Sequence, residues 1–559
     1  MKLSTPSALV SAALLACVPS TLALTAEQWK GKSIYQLLTD RFAPPSADAP
    51  ARTQDLPAVC DPKAQTWCGG TWLSIIDKLD YIQDMGFDAI WISPVSTNID
   101  IATPYNFAYH GYWVTNPTTL NPRFGSEQDL HTLSNELHKR NMLLMVDIVV
   151  NNVPSLSIND SLSTEALQAA DVFWTNPDQY HPYCPVNFSN LTSEQYCWLG
   201  DLKLPLMDVD TENPFVITTL QNWIKNLTST YNIDGLRIDA AKHIPGVFWP
   251  GFCGAAGVFC IGEVYTGDVV FAAEWQTQKW MDSILGYPLY FSLVQAFGTP
   301  MGNMSNFVQI GNAVLDMPDP MVFGNFLENH DLPRWLNATV DPQLAYNALI
   351  AQFIFDGIPI VYYGQEQEFH EGAGDPYNRQ ALWPSNYANT TTYNRIKTLN
   401  AVRKAVMTNN TMYNGQNFIN SKTQFIASTD YDVAIRKGPF VAVLTNRGSP
   451  SQQVTFGVPN SGFDSTSAVI DIMSCRSFSV GANGTISVSY AASGYGGMPY
   501  LFMSQADVSS INWCGLGSQY AFKSPNATSS AVVMNPSMGL LGAGVLVLVA
   551  AGTLGSWIA

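Results

Sequence analysis

The chain has 559 residues, a formal net charge of −17, 47% hydrophobic and 13% charged residues. That length exceeds one compact core, so a large domain with at least one satellite is expected, and the composition is that of a folded chain. No run of Lys and Arg offers the cations that phosphate neutralisation requires, which excludes nucleic acid as a partner. An acidic surface serves solubility and also tolerates neutral ligands.

Both ends read as addresses. Lys2 precedes an apolar stretch over Ala8–Val18, and Thr21-Leu22-Ala23 supplies small residues for cleavage, which predicts a secretory signal over residues 1–23. Met538–Ala559 is almost wholly apolar, and a small, polar segment around Asn526-Ala527-Thr528-Ser529-Ser530 precedes it, the pattern of a GPI-anchor signal. A transmembrane helix is the alternative, but its cytoplasmic side would carry Lys or Arg. Residues 516–559 are therefore expected to be linker and anchor signal. Of nine cysteines, Cys17 leaves with the signal and eight remain. The preferred pairs are Cys60/Cys68, Cys184/Cys197, Cys253/Cys260 and Cys475/Cys514, although spacing alone does not fix the connectivity. Asn-x-Ser/Thr acceptors, among them Asn187, Asn226 and Asn337, also fit an exported, glycosylated chain.

In chain order, Ser33–Leu38 reads as a strand and Thr71–Met85 as a helix with Ile75, Ile76, Leu79 and Ile82 on one face. Phe87–Ile92 is a buried strand. Ser126-Glu127-Gln128-Asp129 caps a helix through Arg140, followed by the strand Met142–Val150. Asn213-Pro214 starts a helix over Phe215–Tyr231. Further strands are Ile233–Ile238, Val258–Val264, Met321–Phe326 and Ile358–Tyr363. The alternation predicts an α/β fold, a (β/α)8 TIM barrel over 24–410. Residues 152–210 lack helical periodicity and are too long for a bare loop, so they form a small inserted domain after strand 3. The short alternating segments of 411–515 predict a C-terminal antiparallel β-sandwich domain.

Polar residues cluster just after the strands. Arg237 and Asp239 are two apart, so they share a strand face, and the cation keeps the carboxylate ionised as a nucleophile requires. Glu263 stands among apolar neighbours, a setting that raises a carboxyl pKa and suits a general acid. Asp331 adds a third carboxylate beside His330. His110, Tyr112 and Trp113 form an aromatic and imidazole cluster able to face a sugar ring. Each has a bland reading, as a charge buffer, helix cap or core residue. Together, so many charges at one rim point to chemistry.

This constellation resembles the α-amylase family (glycoside hydrolase family 13), and most closely the secreted fungal α-amylases. The resemblance is carried by DIVVNN at Asp147–Asn152, LMDVD at Leu206–Asp210, GLRIDAAKH at Gly235–His243, GEV at Gly262–Val264, FLENHD at Phe326–Asp331 and GIPIVYYGQEQ at Gly357–Gln367. It implies a retaining double displacement on α-1,4-glucans, with Asp239 as nucleophile, Glu263 as acid/base and Asp331 binding and distorting the sugar, the first two carboxyls about 5–5.5 Å apart. It further implies that Arg237, His110, His330, Asp375 and Arg379 hold the sugar at the cleavage point, with Tyr112, Trp113, Lys242, His243 and Asn152 also in the substrate site. A calcium site is implied at Asn151, Asp208 and the carbonyl of His243, with Gln195 where an acidic ligand is usual, hence a weakened site. The family motif normally ends in Asn-His; here it ends in Asn151-Asn152. That exchange, with the anchor signal, resembles the fungal GPI-anchored α-amylase-like group. It implies 4-α-glucanotransferase activity beside or above hydrolysis, in cell-wall α-glucan metabolism. A plain starch-hydrolysing α-amylase is the alternative, and a non-catalytic glucan-binding protein is disfavoured because all three carboxylates are present. A monomer, anchored outside the plasma membrane, is expected.

Overall fold

The computed structural model describes residues 24–516 apart from 46–55, 58, 157–161, 340, 450–453 and 491–495. The signal and anchor expectations therefore lie outside the described residues. Among the described residues, no helix is long and apolar enough to cross a membrane.

Eight parallel strands make the barrel: β1 (Ile34–Leu37), β2 (Ala89–Ile92), β3 (Leu143–Ile148), β4 (Gly235–Ile238), β5 (Phe259–Gly262), β6 (Ser283–Ile284), β7 (Gly324–Asn325) and β8 (Ile358–Tyr362). They pair in chain order, β8 pairs back onto β1, and a bridge between Leu285 and Gly324 links β6 to β7. The strands are buried along their length, as parallel strands sheathed in helices must be. The helix starts follow the sequence. Ser126 and Asp129 form a reciprocal capping box ahead of Glu127–Lys139, and Asn213 caps Pro214–Tyr231 with proline in the first turn.

Three expectations change. Residues 71–85 form two short helices, Trp72–Ile76 and Leu79–Asp84, because Lys78 leaves helical geometry at φ −122° and ψ 10°. The strand expected over 321–326 shrinks to β7, since Pro320–Val322 is a 3-10 turn. β6 is only two residues long and escapes a pattern search. Three disulfides form as expected, Cys60–Cys68, Cys184–Cys197 and Cys475–Cys514. Cys253 and Cys260 remain thiols: helix Trp249–Ala256 brings Cys253 onto β5, where the pair meets through a hydrogen bond instead of a covalent one.

After β3 the chain builds the inserted sheet from Asn152–Pro154, Leu199–Gly200 and Pro205–Asp208, with Asn152 opposite Asp208. Beyond the barrel, a six-stranded antiparallel sheet carries Asp432–Lys437, Phe440–Thr445 and Tyr500–Ser504 at its centre. It faces the pair Thr455–Val458 and Ile486–Ser489 across a core of Val441, Val443, Val458, Val488 and Phe502. The predicted fold class is the observed one.

Behind β8, Tyr35 and Tyr81 donate to Glu366 Oε1 at 2.8 and 2.9 Å, and the Gly364 N–H donates to Oε2 at 2.9 Å. Burial still pushes this carboxyl up to about 7. The folded chain thus keeps a proton that an unfolded Glu, with its ordinary pKa of 4.5, releases. That contribution is complete below the unfolded pKa and is lost as pH rises through the folded one. The urea midpoint is expected to fall between about pH 4.5 and 7.5, and Glu366→Gln to flatten that slope; a slope unchanged by the variant would remove Glu366 as its source.

Candidate active site

The site forms at the C-terminal ends of the strands, the end where barrels of this class place their chemistry. Arg237, on β4 and fully buried, is its hub. One guanidinium reaches three carboxylates: Nη1 meets Asp147 at 2.9 Å and Asp239 at 2.7 Å, and Nη2 meets Glu263 at 2.7 Å. Asp147 is held further by the Tyr112 hydroxyl at 2.7 Å and the Trp91 indole N–H at 3.0 Å. Directly after Asp239, Ala240 takes the left-handed region at φ 48°, uncommon for a residue with a Cβ. That turn aims its N–H at Glu263 Oε2, 3.1 Å away. The Tyr287 hydroxyl donates to Glu263 Oε1 at 3.1 Å. Glu263 is therefore not the lone carboxyl among apolar side chains that its sequence neighbours imply; three donors surround it.

Asp331 completes the group. His330 Nε2 lies 3.0 Å from one of its oxygens and Arg379 Nη2 lies 3.2 Å from the other, while Arg379 Nη1 reaches Asp375 at 3.1 Å. Burial pushes the Asp331 carboxyl up while Arg379 pulls it down, and the net direction is upward. Asp239 is also driven well above the ordinary carboxylate range, by burial and by the charges of Glu263, Asp147 and Asp331, against the pull of Arg237. Buried among one another's charges, Asp147, Asp239 and Asp331 each keep a proton to higher pH than a separated carboxylate would.

The imidazoles are neutral. Burial and the nearby cations hold His110 and His330 well below their ordinary value. Gln36 Nε2 lies 2.9 Å from His330 Nδ1, and the Tyr112 N–H lies 3.0 Å from His110 Nδ1. Both contacts assign the ring proton to Nε2. Gly111, at φ 90°, turns the chain between His110 and Tyr112. Tyr112 then stacks on His330 with centroids 4.8 Å apart.

Asp239, Glu263, His330, Asp331 and Tyr112 line one pocket with Asn152, Ala240, Leu199 and Leu206. Asn151 Nδ2 donates to Asn152 Oδ1 at 3.4 Å, which leaves the Asn152 amide N–H groups for the pocket. Not every expected residue gathers there. Trp113 packs with Leu199, Leu204 and Leu206 beneath the inserted sheet and does not line the pocket. Lys242 pairs with Glu194 at 2.7 Å, and His243 Nδ1 lies 3.0 Å from the Glu194 carbonyl oxygen, so both side chains tie the β4 loop to helix Leu191–Tyr196. Sequence reasoning missed Trp91, Gln36, Leu199, Leu206 and Tyr287 as site residues. It quoted Asp147 only as the start of a motif.

For a hard cation, the observation that bears on fit is Asn151 Oδ1, buried and without a hydrogen-bond partner among the described residues. Asp208, buried beside it across the sheet, gives one oxygen to His181 at 2.6 Å and keeps the other. Oxygen donors of this kind fit calcium. Gln195 is half-buried, and its neighbour Glu194 is the side chain turned inward. His181 also reaches Glu212 at 3.0 Å. Burial opposes its charge, yet the bonds to Asp208 and Glu212 push it up to about 10.

Comparison with known proteins decides the family. The model described as "Alpha amylase, catalytic domain" matches residues 36–431, and that of "Alpha-amylase, domain C" matches 425–521. The chain belongs to the α-amylase family. An α-amylase of Saccharomycopsis fibuligera is 37% identical over 90% of this chain and 98% of its own length. "Alpha-amylase mde5" of Schizosaccharomyces pombe is 38% identical over 83% of this chain and 85% of its own. The solved α-amylase of Malbranchea cinnamomea superposes with a TM-score of 0.80 at 38% identity, covering 88% of this chain and all of that one. This family member is a glycoside hydrolase acting on α-glucans.

Proposed function

We infer that this α-amylase-family enzyme cleaves α-1,4-glucosidic bonds with retention and passes the glucosyl unit to another glucan as readily as to water. The observation that carries the first half is the single Arg237 guanidinium at 2.7 Å from both Asp239 and Glu263. A shared partner keeps the two carboxyls close, as a retaining pair requires. Asp239, the more exposed of the two, attacks the anomeric carbon while Glu263 protonates the leaving oxygen. A covalent β-glucosyl ester forms on Asp239, and Glu263, now ionised, takes the proton of the incoming hydroxyl as that hydroxyl displaces Asp239. Asp331, with Arg379 and Asp375 behind it, grips the sugar hydroxyls. The neutral His110 donates from Nε2, a hydrogen bond that does not require acid pH, while the Nε2–H of His330 is directed to Asp331 and holds that carboxyl in place.

Asn152 carries the second half. It lines the pocket where the family motif has histidine, and its amide is shorter than an imidazole and is never cationic. A weaker grip on the donor sugar favours an acceptor that brings binding energy of its own, which another glucan does and water does not. Calcium, held by Asn151, Asp208, the His243 carbonyl and Gln195, would brace the inserted sheet against the β4 loop. Export, GPI anchoring and a role in cell-wall α-glucan belong to the same reading, and the disulfides accord with an oxidising compartment. The second reading, plain starch hydrolysis, is favoured by the relatives being named α-amylases.

Incubation with maltoheptaose separates the two. Oligomers longer than seven units are expected from the protein as it stands, and Asn152→His is expected to shift the product ratio toward shorter chains by about tenfold, the size of a single hydrogen bond to the sugar. Only shorter products from the unaltered enzyme would establish hydrolysis instead.

A further inference from the structure

Tyr287 opens helix Tyr287–Phe297 after β6 and is fully buried. Its ring is fixed edge-on against Phe326 at 5.0 Å and Tyr265 at 4.9 Å. A buried tyrosine needs some partner for its hydroxyl, and any carbonyl would serve. Here the partner is the Glu263 carboxyl, and the direction of the bond can be worked out. Asn329 Oδ1 accepts the N–H groups of Asp331 at 2.9 Å and Leu332 at 3.0 Å, so its Nδ2 must point the other way. That Nδ2 lies 3.2 Å from the Tyr287 oxygen and donates to it. The hydroxyl proton is thereby directed to Glu263 Oε1, 3.1 Å away. Oε2 is taken by Arg237 and the Ala240 N–H. Both oxygens are held, each from a different strand end, and the carboxyl plane cannot rotate freely.

We propose that Tyr287, oriented by Asn329, is a positioning residue that fixes the Glu263 carboxyl and stabilises its ionised form, so that Glu263 is ready as a base once the glycosyl ester has formed. It acts through Glu263 and touches no substrate. The same Asn329 that orients Tyr287 also fixes the backbone of Asp331, so the acid/base and the sugar-gripping carboxylate share one support. The inference rests on the reading of Glu263 as acid/base. The charged and titratable groups that face Glu263 are Arg237, Asp239 and His243 from β4 and its loop, Tyr265 after β5, Tyr287 after β6, and His330 and Asp331 after β7.

The experiment is the pH profile of kcat/KM on maltoheptaose for Tyr287→Phe, Asn329→Ala and the double variant, with Glu263→Gln alongside. Losing one donor to the ionised carboxyl lets Glu263 keep its proton to higher pH. The alkaline limb is expected to move up by about 0.5–1 pH unit in Tyr287→Phe. kcat is expected to fall by about tenfold with KM within about twofold, because the group acts in the chemical step. The double variant is expected to shift the limb no further than Tyr287→Phe does. An alkaline limb left in place in a folded Tyr287→Phe protein would overturn the proposal. Should that variant fail to fold, an unmoved limb in Asn329→Ala does the same, and additive shifts in the double variant would sever the coupling. Full activity in Glu263→Gln would sink the acid/base reading itself, a different failure from an unmoved limb.

Discussion

Asp239→Asn is expected to lower kcat on maltoheptaose at least about 10⁴-fold, for hydrolysis and transfer alike. The substitution keeps the shape of the side chain and removes the charged oxygen that would form the ester. It leaves Arg237 with two partners, Asp147 at 2.9 Å and Glu263 at 2.7 Å, so the hub stays neutralised and the barrel keeps its core. The loss is therefore chemical, and a far-UV and near-UV spectrum like that of the unaltered enzyme checks that it is. Both outcomes of the reaction pass through the same ester, which is why the two products vanish together. Residual turnover above about 1% would place the nucleophile elsewhere. Glu263→Gln should behave differently: a substrate with an activated leaving group such as fluoride needs no proton in the first step, so the ester still forms from it and only its release slows. Added azide then reacts with the stranded ester and yields the α-glucosyl azide, the anomer that two inversions require.

How far the sequence reached depends on the range of the interaction involved. Local rules placed the helix starts at Ser126 and Asn213, because a cap and its partner sit within three residues. The same rules failed over 71–85, where the apolar face continues across a break at Lys78 that leaves no mark on periodicity. That Asp239, Glu263 and Asp331 would share one pocket was legible because each lies in its own short motif after a strand. What surrounds it was not: Tyr287 stands 24 positions from the carboxyl it touches, on a helix whose sequence looks like plain core. Trp113 shows the converse, since an aromatic beside Tyr112 looks equally placed, yet successive residues of an extended segment face opposite ways and Trp113 packs with Leu199, Leu204 and Leu206. The charge state of the site was also out of reach. Arg237 was read as the partner of Asp239 alone, whereas in the fold it is shared with Asp147 and Glu263.

Lys437→Met is expected to destabilise the enzyme by about 3–5 kcal/mol, the largest stability effect of any single replacement outside the site considered above. Lys437 lies on a strand of the C-terminal sheet and is 0% exposed, and its Nζ lies 2.6 Å from Asp356 Oδ1, just ahead of β8. Burial lowers its pKa and Asp356 opposes that shift. Asp356 also accepts from the Thr423 N–H at 3.1 Å and the Thr423 hydroxyl at 2.6 Å, so the ion pair fastens the C-terminal sheet to the strand beside β1. Methionine fills nearly the same volume and leaves no cavity, which isolates the electrostatic part of the loss: a buried carboxylate without its cation. Adding Asp356→Asn should recover most of the stability, because the uncompensated charge is then gone and the Thr423 bonds remain possible. The measurement is the urea midpoint of the single and double variants, read by fluorescence and by residual activity. If the single variant loses less than about 1 kcal/mol, or the double variant is no better than the single, the two domains are held by their apolar contact, such as Phe425 against Phe307 at 5.5 Å, and not by this pair. If both expectations hold, activity and sheet fluorescence should be lost together, since the strand that Asp356 precedes is the one that closes the barrel onto β1.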